Sequence, residues 1–185
     1  MPIKGQVLEE PETGNRFEFL ETSESAGAAR VCIKMSLFSE GKLVPNHLHT
    51  LQDEHFEVLS GKLTVFQNGK ETVLLPGEKI LLPRNKPHNH YNAHSEPAIF
   101  IQTVEPALDF DYLIENRVGL SRDGKIKKGK ANMLQELVNL NYFDSKSYLA
   151  NVPVNLQKTM AKIVGPIGRK LGYRAVYKKY SGIEK

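Results

Sequence analysis

The sequence predicts a mainly β protein, a barrel or sandwich of short strands with a helical C-terminal extension. Three observations carry that expectation: apolar residues alternate with period two between Arg16 and Glu105, Asn68-Gly69 marks a tight hairpin, and the spacing turns helical after Pro106. A chain of 185 residues, 40% apolar and 25% charged, can bury one good core but is short for two full domains. We therefore expect a β-barrel domain over residues 1–106 and a basic helical extension over residues 107–185.

Within residues 1–10, Lys4, Glu9 and Glu10 interrupt any apolar run, so neither a signal peptide nor a membrane span is expected and a cytoplasmic protein is. In residues 30–37, Val31, Ile33, Met35 and Leu37 share one face of a strand while Arg30, Lys34 and Ser36 share the other. The single cysteine, Cys32, excludes an intramolecular disulfide and a thiolate cluster and reads as a partly buried thiol in a reducing compartment. Residues 62–67 and 70–75 flank Asn68-Gly69, whose tolerance of positive φ suits a type I′ turn. Pro76-Gly77, Pro83, Pro87 and Pro97 then punctuate short segments, of which residues 98–104 are the most strand-like.

Beyond Pro106, residues 110–118 and 131–140 have helical spacing, the second with Met133, Leu134, Leu137, Val138 and Leu140 on one side. Residues 121–130 form a Gly- and Lys-rich loop between them. Residues 153–171 repeat apolar side chains at Leu156, Met160, Ile163, Val164, Ile167 and Leu171, and Pro166 should kink or interrupt that helix. Its apolar face, with Lys158, Lys162, Arg169 and Lys170 elsewhere, fits packing over the barrel mouth or across a homodimer better than lying on a membrane surface.

Charge divides the chain. Residues 1–120 carry 11 Lys and Arg against 17 Asp and Glu, a net of −6, whereas residues 121–185 carry 14 against 4, a net of +10. A basic tail suits nucleic acid, an acidic membrane or an acidic protein body. No aromatic or Arg-rich recognition motif and no helix-turn-helix pattern accompanies the lysines, so packing is expected and a nucleic-acid partner is not.

All six histidines lie between His47 and His94 in two clusters. Residues two apart on a strand point the same way, so His47 and His49 converge on one point, with Glu54 entering from the next strand. His88 and His90 share a face by the same rule. Three imidazoles and a carboxylate are a borderline ligand set that suits one divalent Mn, Fe, Co, Ni, Cu or Zn ion.

These residues resemble the cupin superfamily over two motifs. The pattern G-x5-H-x-H-x4-E-x6-G is met by Gly41, His47, His49, Glu54 and Gly61; the pattern G-x5-P-x-G-x2-H-x3-N is met by Gly77, Pro83, His88 and Asn92, with Asn85 where the family has glycine. Asn tolerates the left-handed conformation best among non-glycine residues, so Asn85 can hold the same turn. The resemblance implies a double-stranded β-helix, a jelly-roll-like barrel, with His47, His49, Glu54 and His88 as metal ligands. The tail is similar to helical tails of bacterial cupin-domain proteins and implies no reaction.

His90 reads either as a polar wall residue or as a group serving the metal. His55 and Glu57 fall on the opposite face from Glu54 and read as exterior or interface residues, and His94 as solvated. Phe56, Val58, Phe66, Phe100 and Ile101 are candidates for the barrel wall. Four protein ligands leave up to two positions on an octahedral ion, enough for a substrate oxygen and O2 or water. The expected function is a metal-dependent cupin acting on a small organic molecule with oxygenase-like chemistry, and the alternative is a non-catalytic module that binds or senses a small ligand. No general base can be named.

Overall fold

The computed structural model describes residues 2–38, 44–127 and 130–182; Gly41 of the first motif, Lys128 and Gly129 of the predicted loop lie outside them. The first strands are β1 (Val7–Glu9), β2 (Arg16–Glu21), β3 (Val31–Leu37), β4 (His47–His49) and β5 (Asp53–Ser60). They are followed by β6 (Leu63–Gln67), β7 (Lys70–Leu74), β8 (Lys79–Leu82), β9 (His88–Tyr91) and β10 (Ala98–Glu105). After these come α1 (Phe110–Arg122), β11 (Ile126–Lys127), β12 (Lys130–Ala131), α2 (Met133–Tyr142), β13 (Ser147–Leu149), α3 (Val154–Lys170) and α4 (Lys178–Ser181).

Two antiparallel sheets, ordered β1-β2-β3-β10-β5-β8 and β13-β4-β9-β6-β7, face each other as a double-stranded β-helix. Strict alternation builds the interface between them. In β3 the buried residues are Val31, Ile33, Met35 and Leu37; in the neighbouring β10 they are Ala98, Phe100, Gln102 and Val104. From β5 come Glu54, Phe56 and Val58. The Phe56 and His90 rings, one from each sheet, meet at 4.8 Å, and Phe100 lies 5.2 Å from Phe56. Phe66 and Ile101 are half-buried instead of lining this interior, because they stand beside the inward residues Val65 and Phe100 and so point the other way.

Turn chemistry sets the registers. Asn68 (φ 53°) and Gly69 (φ 78°) are both left-handed, as a type I′ hairpin between β6 and β7 requires. Asn85 adopts φ 63°, and its N–H donates to the His49 carbonyl at 2.7 Å, tying the turn before β9 to the histidine strand. Asn92 is buried and donates to the Leu37 and Glu96 carbonyls while accepting from the His94 N–H, which closes the loop before β10. His94 is half-buried rather than fully solvated. Cys32 is half-buried beside Thr103, and burial pushes its thiol up.

The helical predictions hold with three differences. The predicted loop over residues 121–130 contains the end of α1 and the small ribbon β11-β12. Helix α3 runs through Pro166 without a break; Pro166 is exposed, so water can satisfy the carbonyl that its missing N–H leaves free. Helix α3 also turns the less expected face inward. Gln157, Ala161, Gly165 and Gly168 are buried, whereas Leu156, Ile163, Ile167 and Leu171 are half or more exposed. Small residues allow the close approach, since a Cβ at Gly165 would press on Asn141 and one at Gly168 on Val138, both on α2. The tail returns to the barrel at β13, which pairs with β4 in the register Ser147 to His49, Tyr148 to Leu48 and Leu149 to His47. No described helix is long and apolar enough to cross a membrane.

Gly61 links β5 to β6 at φ 72°, and a Cβ there would collide with the Pro97 carbonyl oxygen. Gly61→Ala should therefore cost about 2 kcal/mol or more in urea unfolding. Asn85→Gly should stay within about 1 kcal/mol of the parent, because only the backbone freedom of the unfolded chain changes.

Candidate metal centre

Strand β4 supplies His47 and His49, β5 supplies Glu54 and β9 supplies His88. Parity turns both β4 imidazoles inward, and His47 pairs directly with His88 across the β4-β9 ladder. All four side chains are buried, and their nearest ligand atoms lie within 4.8 Å of one another. The three imidazole rings pack at centroid distances of 5.1, 4.7 and 5.5 Å. His90, also buried, packs its ring against Phe56 and Phe100, with no hydrogen-bond partner on its Nδ1 among the described residues. His55 is exposed and Glu57 half-buried on the outer face, where Glu57 pairs with Lys79 at 2.9 Å.

Each of the three histidines spends its Nδ1 on a backbone carbonyl. His47 Nδ1 donates to Pro45 at 2.9 Å, His88 Nδ1 to Lys86 at 2.9 Å and His49 Nδ1 to Lys146 at 3.1 Å. A carbonyl can only accept, so the proton of each neutral ring sits on Nδ1 and the Nε2 lone pair is aimed inward. His49 Nε2 then faces Glu54 Oε1 at 3.0 Å, and His88 Nε2 lies 3.7 Å from Glu54 Oε2. The contact at 3.0 Å has the length of a hydrogen bond but brings two acceptors together. His49 Nε2, His88 Nε2 and Glu54 Oε2 are accordingly buried with no hydrogen-bond partner among the described residues. Opposed lone pairs in a dry interior are favourable only with positive charge between them, either a proton or a cation. The donor set fits a divalent transition metal on both chemistry and geometry.

The electrostatics point the same way. Burial, followed by its histidine neighbours, lowers His47 to about 3, and burial also lowers His88. Burial alone would raise the Glu54 carboxyl, but His49, His88 and His47 together hold it well below the usual carboxylate range. Neutral imidazoles beside an ionised carboxylate are the protonation states that metal ligation requires.

Among the residues that orient this site, sequence reasoning misses the carbonyl of Lys146. Its contribution comes from the main chain, 97 positions from His49, and leaves no side-chain signal.

Residues 35–104 match the cupin domain family. Over 182 aligned residues the chain is 27% identical to a protein of Hypocrea virens named "Probable oxidoreductase virH", covering 89% of this chain and 81% of that one. Among solved structures, KdgF from a Halomonas species superposes with a TM-score of 0.49 at 15% identity, over 57% of this chain and 89% of that chain. A cupin-superfamily sugar phosphate isomerase of Silicibacter pomeroyi superposes with a TM-score of 0.44 at 23% identity, over 50% of this chain and 59% of that one.

Acid should destabilise the metal-free protein. His47, lowered to about 3, and His90, lowered by burial to about 4, take up protons in the unfolded state from about pH 6.5 downward but not in the folded state. Their stabilisation is complete above about pH 6.5 and is lost as pH falls toward 4, at up to about 1.4 kcal/mol per pH unit for each such histidine. Urea unfolding at pH 7.5, 6 and 5 measures this slope, and His90→Gln should flatten it by one histidine's share.

Proposed function

We propose that the chain, whose residues 35–104 match the cupin domain family, is a metal-dependent cupin that acts on a small organic molecule by oxygenase-type chemistry. The observation that carries this reading is the convergence of four buried side chains with ligand atoms within 4.8 Å of one another, among which His49 Nε2 and Glu54 Oε1 face each other at 3.0 Å. His47, His49, Glu54 and His88 would hold one divalent Fe, Mn, Ni, Cu, Co or Zn ion. When bound, the ion supplies Lewis acidity and, for Fe, Mn, Cu or Ni, redox capacity.

The chain's own residues do the rest. Glu54 offsets the cation's charge, and the Nδ1 donors keep the three imidazoles neutral and aligned. Phe56, Phe100 and Val58 shield the centre from water, and the Nδ1 of His90, without a hydrogen-bond partner among the described residues, is a polar atom buried beside them. The oxidoreductase name of the fungal relative agrees with this class of chemistry. We take the protein to be a cytoplasmic homodimer with no nucleic-acid partner, a reading supported by its unpaired cysteine and the exposed apolar residues of α3.

The alternative, a module that binds a ligand without turnover, draws support from the link between the tail and His49 through Lys146. The two readings separate in one experiment. Protein loaded with each candidate metal is tested for O2 uptake against a panel of phenolic and keto-acid compounds, with bound metal measured by elemental analysis. The enzyme reading expects uptake with at least one metal and one compound, and His49→Ala should abolish it while lowering metal affinity at least about 100-fold. Binding of a panel compound without uptake favours the sensor, and a chain that takes up no transition metal on titration refutes both.

A further inference from the structure

Two of the three histidines that face the centre find their Nδ1 acceptors locally, two residues upstream at Pro45 and Lys86, but His49 depends on a carbonyl 97 positions further along the chain. The segment that carries this carbonyl is clamped at both ends. At its start, Asp109 accepts from the N–H groups of Asp144 and Ser145 at 3.0 and 2.7 Å, and the Ser145 hydroxyl accepts from the Asp109 N–H at 3.3 Å. At its end, the buried side chain of Gln157 on α3 accepts from Leu149 N–H at 3.0 Å and donates to the carbonyls of Leu149 and Val152 at 3.0 and 2.8 Å. Between the clamps, β13 lies in register against His47 and His49.

We propose that residues 144–149 are a positioning element of the metal centre, with Asp109 and Gln157 as the positioning residues that hold the Lys146 carbonyl against His49. The proposal rests on the metal reading above for its consequence, but its geometry stands without the metal. Freed from Lys146, the His49 ring could protonate at Nε2 and donate to Glu54 at 3.0 Å, which would satisfy both groups and close the site to a cation. In the neutral ring the Lys146 carbonyl holds the single proton on Nδ1 and so keeps Nε2 a lone pair. The C-terminal part of the chain thereby decides whether His49 presents a lone pair or a proton to the centre.

The test uses the full chain at pH 7.5 with Asp109→Ala, Gln157→Ala and, as a destabilised control remote from the segment, Leu74→Ala in β7. Asp109→Asn, which keeps one acceptor, replaces Asp109→Ala if that variant does not fold. Long-range 1H–15N spectra of the metal-free proteins report the tautomer of each histidine, and calorimetric titration with Zn2+ reports affinity. In the Asp109 and Gln157 variants His49 alone should leave the Nδ1–H tautomer, with His47 and His88 unchanged, and Zn2+ affinity should fall 10- to 100-fold while Leu74→Ala leaves it unaltered. The proposal is overturned if His49 keeps its tautomer in both variants, if all three histidines change together, or if Leu74→Ala loses as much affinity. If the parent protein takes up no Zn2+ or any other transition metal, the metal reading fails, while the His49 spectrum still decides the positioning role.

Discussion

Two electron-rich atoms, His49 Nε2 and Glu54 Oε1, face each other at 3.0 Å in the buried interior of the barrel, and much of the surrounding structure keeps them there. Buried charge is tolerated only where partners converge on it, and here the convergence comes from strand parity. The inward faces of β4, β5 and β9 bring three imidazoles and one carboxylate together, and main-chain carbonyls hold each ring against rotation. The polar centre and the apolar core are therefore products of the same alternation. Residues that alternate with Glu54 on the inner side of β5, Phe56 and Val58, are part of the core that shields it from water.

The helices after residue 106 contribute to this arrangement through close packing. Ala161, Gly165 and Gly168 let α3 settle against α2, and that seating brings Gln157 onto the backbone of β13. A larger residue on this face would lift the helix away and loosen the strand beside His49. The ion pairs Lys179–Asp123 and Lys146–Asp144 lie within the tail itself, so its attachment to β4 rests on backbone pairing and buried polar side chains.

Much of the barrel was legible because its signals are local. Alternation identified β3 and β10, Asn68-Gly69 identified the hairpin, spacing put His47 and His49 on one face, and the resemblance to the two cupin motifs implied that Glu54 and His88 would join them. Asn85 could be read as a left-handed substitute for glycine, and its φ of 63° agrees. What escaped was non-local or carried by the main chain. Strand β13 is three residues long, too short for a periodic signal, and Lys146 acts through its carbonyl. Phe66 and Ile101 look like wall residues by type, but parity places them on the outer side. In α3 the pattern search finds the stripe of large apolar residues, whereas close packing selected the stripe of small ones.

The pairing of β13 with β4 also has a temporal meaning. A chain synthesised from its N-terminus exposes His47, His49, Glu54 and His88 long before Lys146 is made. With His49 oriented by that late carbonyl, a nascent chain carries these four side chains before the His49 ring has its acceptor. The full alignment of these side chains then belongs to the folded protein, once β13 has docked on β4.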